Sequence, residues 1–491
     1  MGDSHAPHGS DDGLEALLEA EWTEVPGASA GAPPSKRARS SATCPPHPGF
    51  MNGMCIRCGA LKQEQDSEER SLALRYMHAS LEVSAAEAER LRAETSAALL
   101  TARRLLLVVD LDHTLVNSAQ YAELNQEEGR LLEGTMERQR RESGAEGDGA
   151  KEEGPEEKGE EKEEQEEQGE EEEEQGEKGE EDEEPAFAPN TLRVLPDLLL
   201  WTKLRPGLLR FLQEAAEIFD LAVYTMGDRR YADAIAGIID PDGRLFCGRV
   251  VSAADSTARG AKDLDVVLGL ERCVLILDDT VGVWPRHAPN LLVVPRYIFF
   301  PSCARKFQTG KSWLERRRDE PGEGFLLDTA LPILKKVHAM FFAGVERGQE
   351  TAAVDRDVRQ CLAVVRRRVL AGCVVLVSGL DLRGPRKAYV ALTKLAKEMG
   401  AEVASEPGDG VTHVISPRHT HKAQWAVKMG RHLVTPGWLE ACALGWTRAD
   451  ESRFLLGSGA REETAEPPAG LVDQTEDVKR ALQAAGGGGG Q

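Results

Sequence analysis

The residues most able to do chemistry lie in Asp110-Leu-Asp112-His-Thr114, which follows an unbroken apolar run, Leu105-Leu-Leu-Val-Val109. Alternate residues at a strand end share a face, so Asp110 and Asp112 are expected to point into one crevice. Paired carboxylates suit a hard cation such as Mg2+, which takes oxygen ligands. Two later runs end in the same style. Leu221-Ala-Val-Tyr ends at Thr225, and Cys273-Val-Leu-Ile-Leu ends at Asp278-Asp279, with Lys262 shortly before it. If these strands are parallel, their carboxyl ends share the edge where open α/β sheets hold ligands. A bare Asp-x-Asp is also what a strand closed by an Asx turn looks like. Recurrence at three strand ends favours a site, and the set contains the parts of phosphoryl transfer. Asp110 would attack phosphorus in line and form an aspartyl-phosphate. Asp112 would protonate the leaving serine oxygen and then activate water. Mg2+ would be held by Asp110, the Asp112 carbonyl, Asp278 and Asp279. Thr225 and Arg205 are candidate contacts to phosphoryl oxygens, Lys262 would offset accumulated negative charge, and Thr114 supplies a further hydroxyl in the catalytic set.

These groups need a scaffold. The expected elements run helix Leu208–Ile218, strand Leu221–Thr225, helix Tyr231–Ile239, strand Cys273–Asp278 and strand Leu291–Val294. Alternation of this kind predicts an α/β fold with a doubly wound parallel sheet. Upstream, Cys44-Pro-Pro-His47 and Cys55-Ile-Arg-Cys58-Gly59 give a C-x2-H…C-x2-C-G pattern. Two ligand pairs fit a small tetrahedral Zn2+ knuckle, with Gly59 allowing the tight turn; the alternative is incidental cysteines in a tail. The segment 68–104 reads as a helical brace, with a break near Val83-Ser84. Beyond residue 366 a second small α/β unit is expected: strand Val374–Ser378, helix Lys387–Met399, strand Val411–Ser416 and helix Thr420–Met429. The expected division is a disordered tail (1–43), a zinc knuckle (44–60), the brace (68–104), a catalytic domain (105–345) interrupted by an acidic disordered insert (142–184), the small α/β domain (366–457) and a disordered tail (460–491).

The formal charge of −23 is local in origin. Lys151 to Glu184 holds 21 acidic residues and four lysines, which leaves −6 for the remaining chain. That tract lacks apolar anchors and cannot bury enough surface to fold. It is either a tolerated insertion, a shield against anions or a binder of basic proteins. No run of 18 apolar residues occurs, so no membrane partner is expected, and the amino terminus lacks the features of a secretory signal. The nine cysteines are therefore read as free thiols or metal ligands in a reducing compartment. Lys36-Arg37-Ala38-Arg39 is a weak candidate for nuclear import.

DLDHT (110–114), YTMG (224–227), AKDL (261–264) and LDD (277–279) together resemble the haloacid-dehalogenase phosphatase superfamily. KLRPG (203–207), IAGIIDPDG (235–243) and Val283-Trp284 narrow the likeness to the RNA polymerase II C-terminal-domain phosphatases. The N-terminal Cys/His pattern and LRYMHASLEV (74–83) resemble the plant-type members. The resemblance covers about 44–120 and 190–345. It implies Mg2+-dependent removal of phosphate from phosphoserine in the heptad repeats of the polymerase tail, in the nucleus. It also implies Asp279 as the direct metal ligand, with Asp278 paired to Lys262. The acidic insert departs from the pattern. Residues 366–457 resemble a BRCT domain through the Gly400 turn, THVIS (412–416) and Trp438, the last read as a core aromatic. In phosphopeptide-reading members of that family, groups like Ser378-Gly379 and Thr420-His-Lys422 cradle a phosphate; the alternative is a BRCT fold used only for protein contact. The expected partners are the phosphorylated polymerase tail and general transcription factors, without direct nucleic-acid binding. Two competing readings remain. One is a non-catalytic phosphopeptide adaptor, against which the complete acid set and Lys262 argue. The other is a phosphatase for small phosphometabolites, which would need no tethering domain.

Overall fold

The computed structural model describes residues 44, 46–63, 71–142, 185–346, 353, 355–379 and 386–456. The two terminal tails, the basic cluster 36–39 and the acidic tract beyond Glu142 lie outside them. Strands run in chain order as β1 (Gly49–Met51), β2 (Met54–Cys55), β3 (Ser71–Ala73), β4 (Leu81–Ser84), β5 (Leu105–Val109), β6 (Val116–Gln120), β7 (Leu192–Leu195), β8 (Leu200–Leu204), β9 (Phe219–Tyr224), β10 (Val250–Val251), β11 (Val274–Asp278), β12 (Leu291–Val293), β13 (Val374–Val377), β14 (Glu402–Ala404), β15 (His413–Ile415) and β16 (His432–Val434).

The larger unit is built on a five-stranded sheet of order β10-β9-β5-β11-β12, with every neighbouring pair parallel. β5 is central and all five of its residues are buried, which explains its purely apolar composition. Its odd-numbered residues Leu105, Leu107 and Val109 face helices Leu208–Ala216, Arg229–Ile239, Leu331–Phe341 and Val358–Arg367. Its even-numbered residues Leu106 and Val108 face the opposite layer, with Tyr224, Val266 and Trp284. β5, β9 and β11 end level with one another: Val109 pairs with Val223 and with Leu277.

The second layer corrects one expectation. The stretch expected to begin the helical brace is instead β3, a turn and β4; only Ala85–Thr101 is helical, capped by Ser84 accepting from the Glu87 amide. β3 and β4 complete an antiparallel sheet of order β2-β1-β4-β3. Leu72 and Val83 of this sheet, with Leu74 just after β3, bury against the Leu106–Val108 face. Tertiary burial of alternating side chains has overridden a helical reading of mixed periodicity. A third, antiparallel sheet of order β6-β8-β7 follows the β5 turn, and a Glu-rich helix follows its first strand. That helix, Gln126–Glu142, starts only after β6.

The C-terminal unit is a parallel sheet of order β14-β13-β15-β16. Trp438 is fully buried and donates through Nε1 to the Ala449 carbonyl at 3.0 Å. His413 stacks on Trp438 with ring centroids 4.5 Å apart. Burial pulls the His413 imidazole down to about 4, against its bond to Glu451. The unfolded chain therefore binds more protons than the folded one below about pH 6.5. Stability of this unit is expected to be full above that pH and to fall steadily as the pH drops toward 4. Hydrogen exchange of the β15 and β16 amides across pH 4–7 would check this; a flat opening free energy would refute it.

Candidate active site

The loop after β5 is a tight turn. The Leu115 and Val116 amides both donate to the Leu111 carbonyl, and His113 takes a left-handed φ of 62°. Asp110 still belongs to the sheet, its amide donating to the Leu277 carbonyl at 2.9 Å. Asp112 does not, so strand alternation is not what aims it. Its carboxylate is held by Tyr231, whose hydroxyl donates to Oδ1 at 2.6 Å, and by Thr225, whose hydroxyl donates to Oδ2 at 3.3 Å.

Carboxylate oxygens of Asp110, Asp278 and Asp279 lie within 4.8 Å of one another, and all three residues are buried. Lys262 Nζ bridges two of them, 2.5 Å from Asp110 and 2.6 Å from Asp278. Its ammonium also sits over the rings of Tyr224 and Trp284. Trp284 Nε1 donates to Asp278 at 2.8 Å, and Arg296 pairs with Asp279 at 2.6 Å. Thr114 joins the strands: its hydroxyl donates to Asp279 Oδ1 at 3.3 Å and accepts from the Asp279 amide at 3.0 Å. Burial pushes the Asp110 carboxyl well above its usual range, against Lys262 and with help from Asp278 and Asp279. Burial likewise raises Asp278, against Lys262. Burial would lower Lys262, but Asp110 and Asp278 together hold it above the ordinary lysine range.

The charges fit a divalent metal. Asp110, Asp278 and Asp279 are paired with two cations, Lys262 and Arg296, while Asp112 is held only by the neutral hydroxyls of Tyr231 and Thr225. Counted formally, the four carboxylates exceed the two cations by two charges, which matches one hard cation, and the donors are all oxygen. Mg2+ fits Asp110, Asp278 and Asp279, while the Asp112 carboxylate is turned toward Thr225 and Tyr231.

Arg205 requires a correction. It is fully buried, forked onto Glu320 at 2.7–3.2 Å, and donates to the Thr114 carbonyl at 3.0 Å. Its guanidinium lies over Tyr297 and Phe325. It therefore braces the turn from behind, because the neighbouring Glu320 already satisfies its charge.

Three residues around the cluster have little signal in the sequence. Tyr231 reads only as the start of a helix, Trp284 only as part of a likeness, and Arg296 belongs to no motif. A Tyr in the first turn after a strand-end Thr was the available signal for the first. Burial, then Asp112, keeps the Tyr231 phenol well above its usual value, so it stays a donor. Tyr231→Phe should lower kcat by roughly 10-fold with little change in KM, the mark of a positioning residue. An unchanged kcat would remove that role.

In the C-terminal unit, Ser378 and Thr420 hydroxyls lie 2.9 Å apart. Thr420 caps helix His421–Lys428 by accepting from the Ala423 amide. Gly379 has φ +74°, and a Cβ there would meet Ser416 Oγ at 2.5 Å. Lys422 Nζ donates to the Ser405 carbonyl at 2.7 Å and lies 3.3 Å from exposed Glu406.

Comparison with known proteins gives the family of this fold. Residues 178–308 match the family of NLI interacting factor-like phosphatases and 365–443 match the BRCT domain. The first match begins at residue 178, inside the acidic tract, so Asp110 and Asp112 join it only through the sheet. The chain is 36% identical to RNA polymerase II C-terminal domain phosphatase-like 4 of Arabidopsis thaliana, over 86% of this chain and 84% of that protein. It is 34% identical to phosphatase-like 3 of the same plant, over 74% of this chain and 26% of that protein. The solved structure of Fcp1, an essential RNA polymerase II CTD phosphatase, is 24% identical, with a TM-score of 0.52 covering 75% of this chain and all of that one. With that length of shared sequence and this acid cluster, the chain belongs to the RNA polymerase II C-terminal domain phosphatase-like family, a haloacid-dehalogenase-type phosphatase joined to a BRCT domain.

Proposed function

We propose that this chain is a Mg2+-dependent protein serine/threonine phosphatase acting in the nucleus on phosphoserines in the heptad repeats of the RNA polymerase II tail. The observation that carries this is the convergence of Asp110, Asp278 and Asp279 around Lys262 at the carboxyl edge of a parallel sheet. Asp110 attacks phosphorus in line, and the serine oxygen leaves. Asp112, held by Tyr231 and Thr225, gives the leaving oxygen its proton and later takes one from water, which releases phosphate. Lys262 favours the ionised form of Asp110 against the effect of burial, and orients it. Mg2+, when bound, neutralises charge between the nucleophile and the phosphoryl oxygens.

The BRCT unit is read as a tether. Ser378 and Thr420 bring two hydroxyls together beside a helix amino terminus, next to Gly379, while Lys422 on the same helix is engaged with the Ser405 carbonyl and Glu406 and would have to turn to meet a phosphate. Holding one phosphorylated repeat would raise the local concentration of its neighbours at the acid cluster. General transcription factors remain candidate further partners.

The test is Mg2+-dependent phosphate release from heptad peptides phosphorylated singly at each serine, in one-repeat and many-repeat lengths. Release from both is expected, with Ser378→Ala/Thr420→Val slowing only the long substrates, by about 10-fold. Tight binding with no release from any peptide would favour the adaptor reading.

A further inference from the structure

Three cysteines and a histidine at the amino-terminal end of the described chain play no part in the phosphatase site. Cys44, His47, Cys55 and Cys58 each offer a ligand atom within 4.8 Å of the others. Cys44 Sγ and Cys55 Sγ lie 3.9 Å apart, and Cys58 Sγ lies 3.6 Å from His47 Nδ1. A zinc tetrahedron has edges of about 3.8 Å between sulfurs and about 3.6 Å between sulfur and nitrogen, from its ordinary bond lengths. All three thiols are free, so no disulfide competes for them. The backbone is shaped like a knuckle: the Arg57 amide donates to Cys55 Sγ at 3.4 Å, the Gly59 amide donates to the Cys55 carbonyl, and Gly59 takes φ +71°.

The surrounding structure needs such a centre. The local apolar cluster holds Cys44, Phe50 and Cys55, with Cys58 packed against it. That is too little buried surface to hold the β1–β2 hairpin, a situation small units resolve with a metal or a disulfide. The hairpin is nonetheless tightly joined to the catalytic domain. Gly49 passes so near β4 that a Cβ would sit 2.4 Å from the Glu82 carbonyl oxygen. β4 and β3 in turn bury Val83 and Leu72, with Leu74 just after β3, against the layer containing Tyr224 and Trp284, the two rings beneath Lys262.

We infer that Cys44, His47, Cys55 and Cys58 form a structural Zn2+ site that locks the N-terminal sheet onto the wall of the lysine pocket. Protein supplies all four ligands, which leaves no open position for substrate or water and makes the ion structural.

The test uses the full chain, purified under reductant and dialysed against Mg2+-containing buffer. About one zinc per chain is expected, falling below about one fifth in Cys58→Ser. Replacing zinc by Co2+ in the unaltered protein should give intense visible bands of a tetrahedral site with thiolate charge-transfer absorption; this reading survives even if the variant misfolds. Withdrawing zinc with a thiol-compatible chelator, Mg2+ kept in excess, should speed amide exchange over 46–63 by at least about 10-fold. No bound zinc and no thiolate–cobalt bands would overturn the site. Zinc bound with exchange over 46–63 unchanged on its removal would overturn the locking role.

Discussion

Asp110→Asn is expected to lower phosphate release by roughly 10^4-fold or more, with no loss of thermal stability in metal-free buffer. The amide cannot attack phosphorus, so the covalent route closes. Stability is retained because the substitution removes one of three buried carboxylates gathered within 4.8 Å of one another. An amide oxygen can still accept from Lys262 at the position now 2.5 Å away. A merely structural Asp110 would give the opposite pattern, with stability lost and turnover tracking the folded fraction. Paired single-turnover and melting measurements separate the two. Parental turnover would exclude Asp110 as the nucleophile.

Lys262→Met is expected to damage both properties. The ammonium is buried and bridges Asp110 and Asp278. Removing it leaves two buried carboxylates without their lysine, a change that costs about 3–5 kcal/mol where one partner of a buried pair is lost. For a domain of this size that corresponds to a fall in melting temperature on the order of 10 °C. Turnover should be lost, because nothing then orients Asp110 or holds its charge. Mg2+ should raise the melting temperature of this variant more than that of the parent, since a divalent ion at the carboxylates replaces part of the missing positive charge. A variant that melts with the parent would show that Lys262 is not needed to hold the cluster.

The carboxylate cluster was legible in the sequence because its signal is local. An apolar run that stops at a carboxylate or hydroxyl declares both the buried strand and the group at its end. Three such stops, at Asp110, Thr225 and Asp278, set the parallel sheet and the side on which its site would lie. The C-x2-H and C-x2-C pairs were legible for the same reason, since each pair spans one turn. What the tertiary structure decided involves partners far apart in the chain. Arg205 looked available for phosphate, but Glu320 claims it across 115 positions. Asp112 takes its direction from Tyr231, 119 positions away, and Asp279 is paired with Arg296. The 71–84 segment became strands because the open face of the central sheet needed covering, a demand that no local periodicity in that segment expresses. Residue type and spacing determined which groups could react; packing between distant segments determined where each one points.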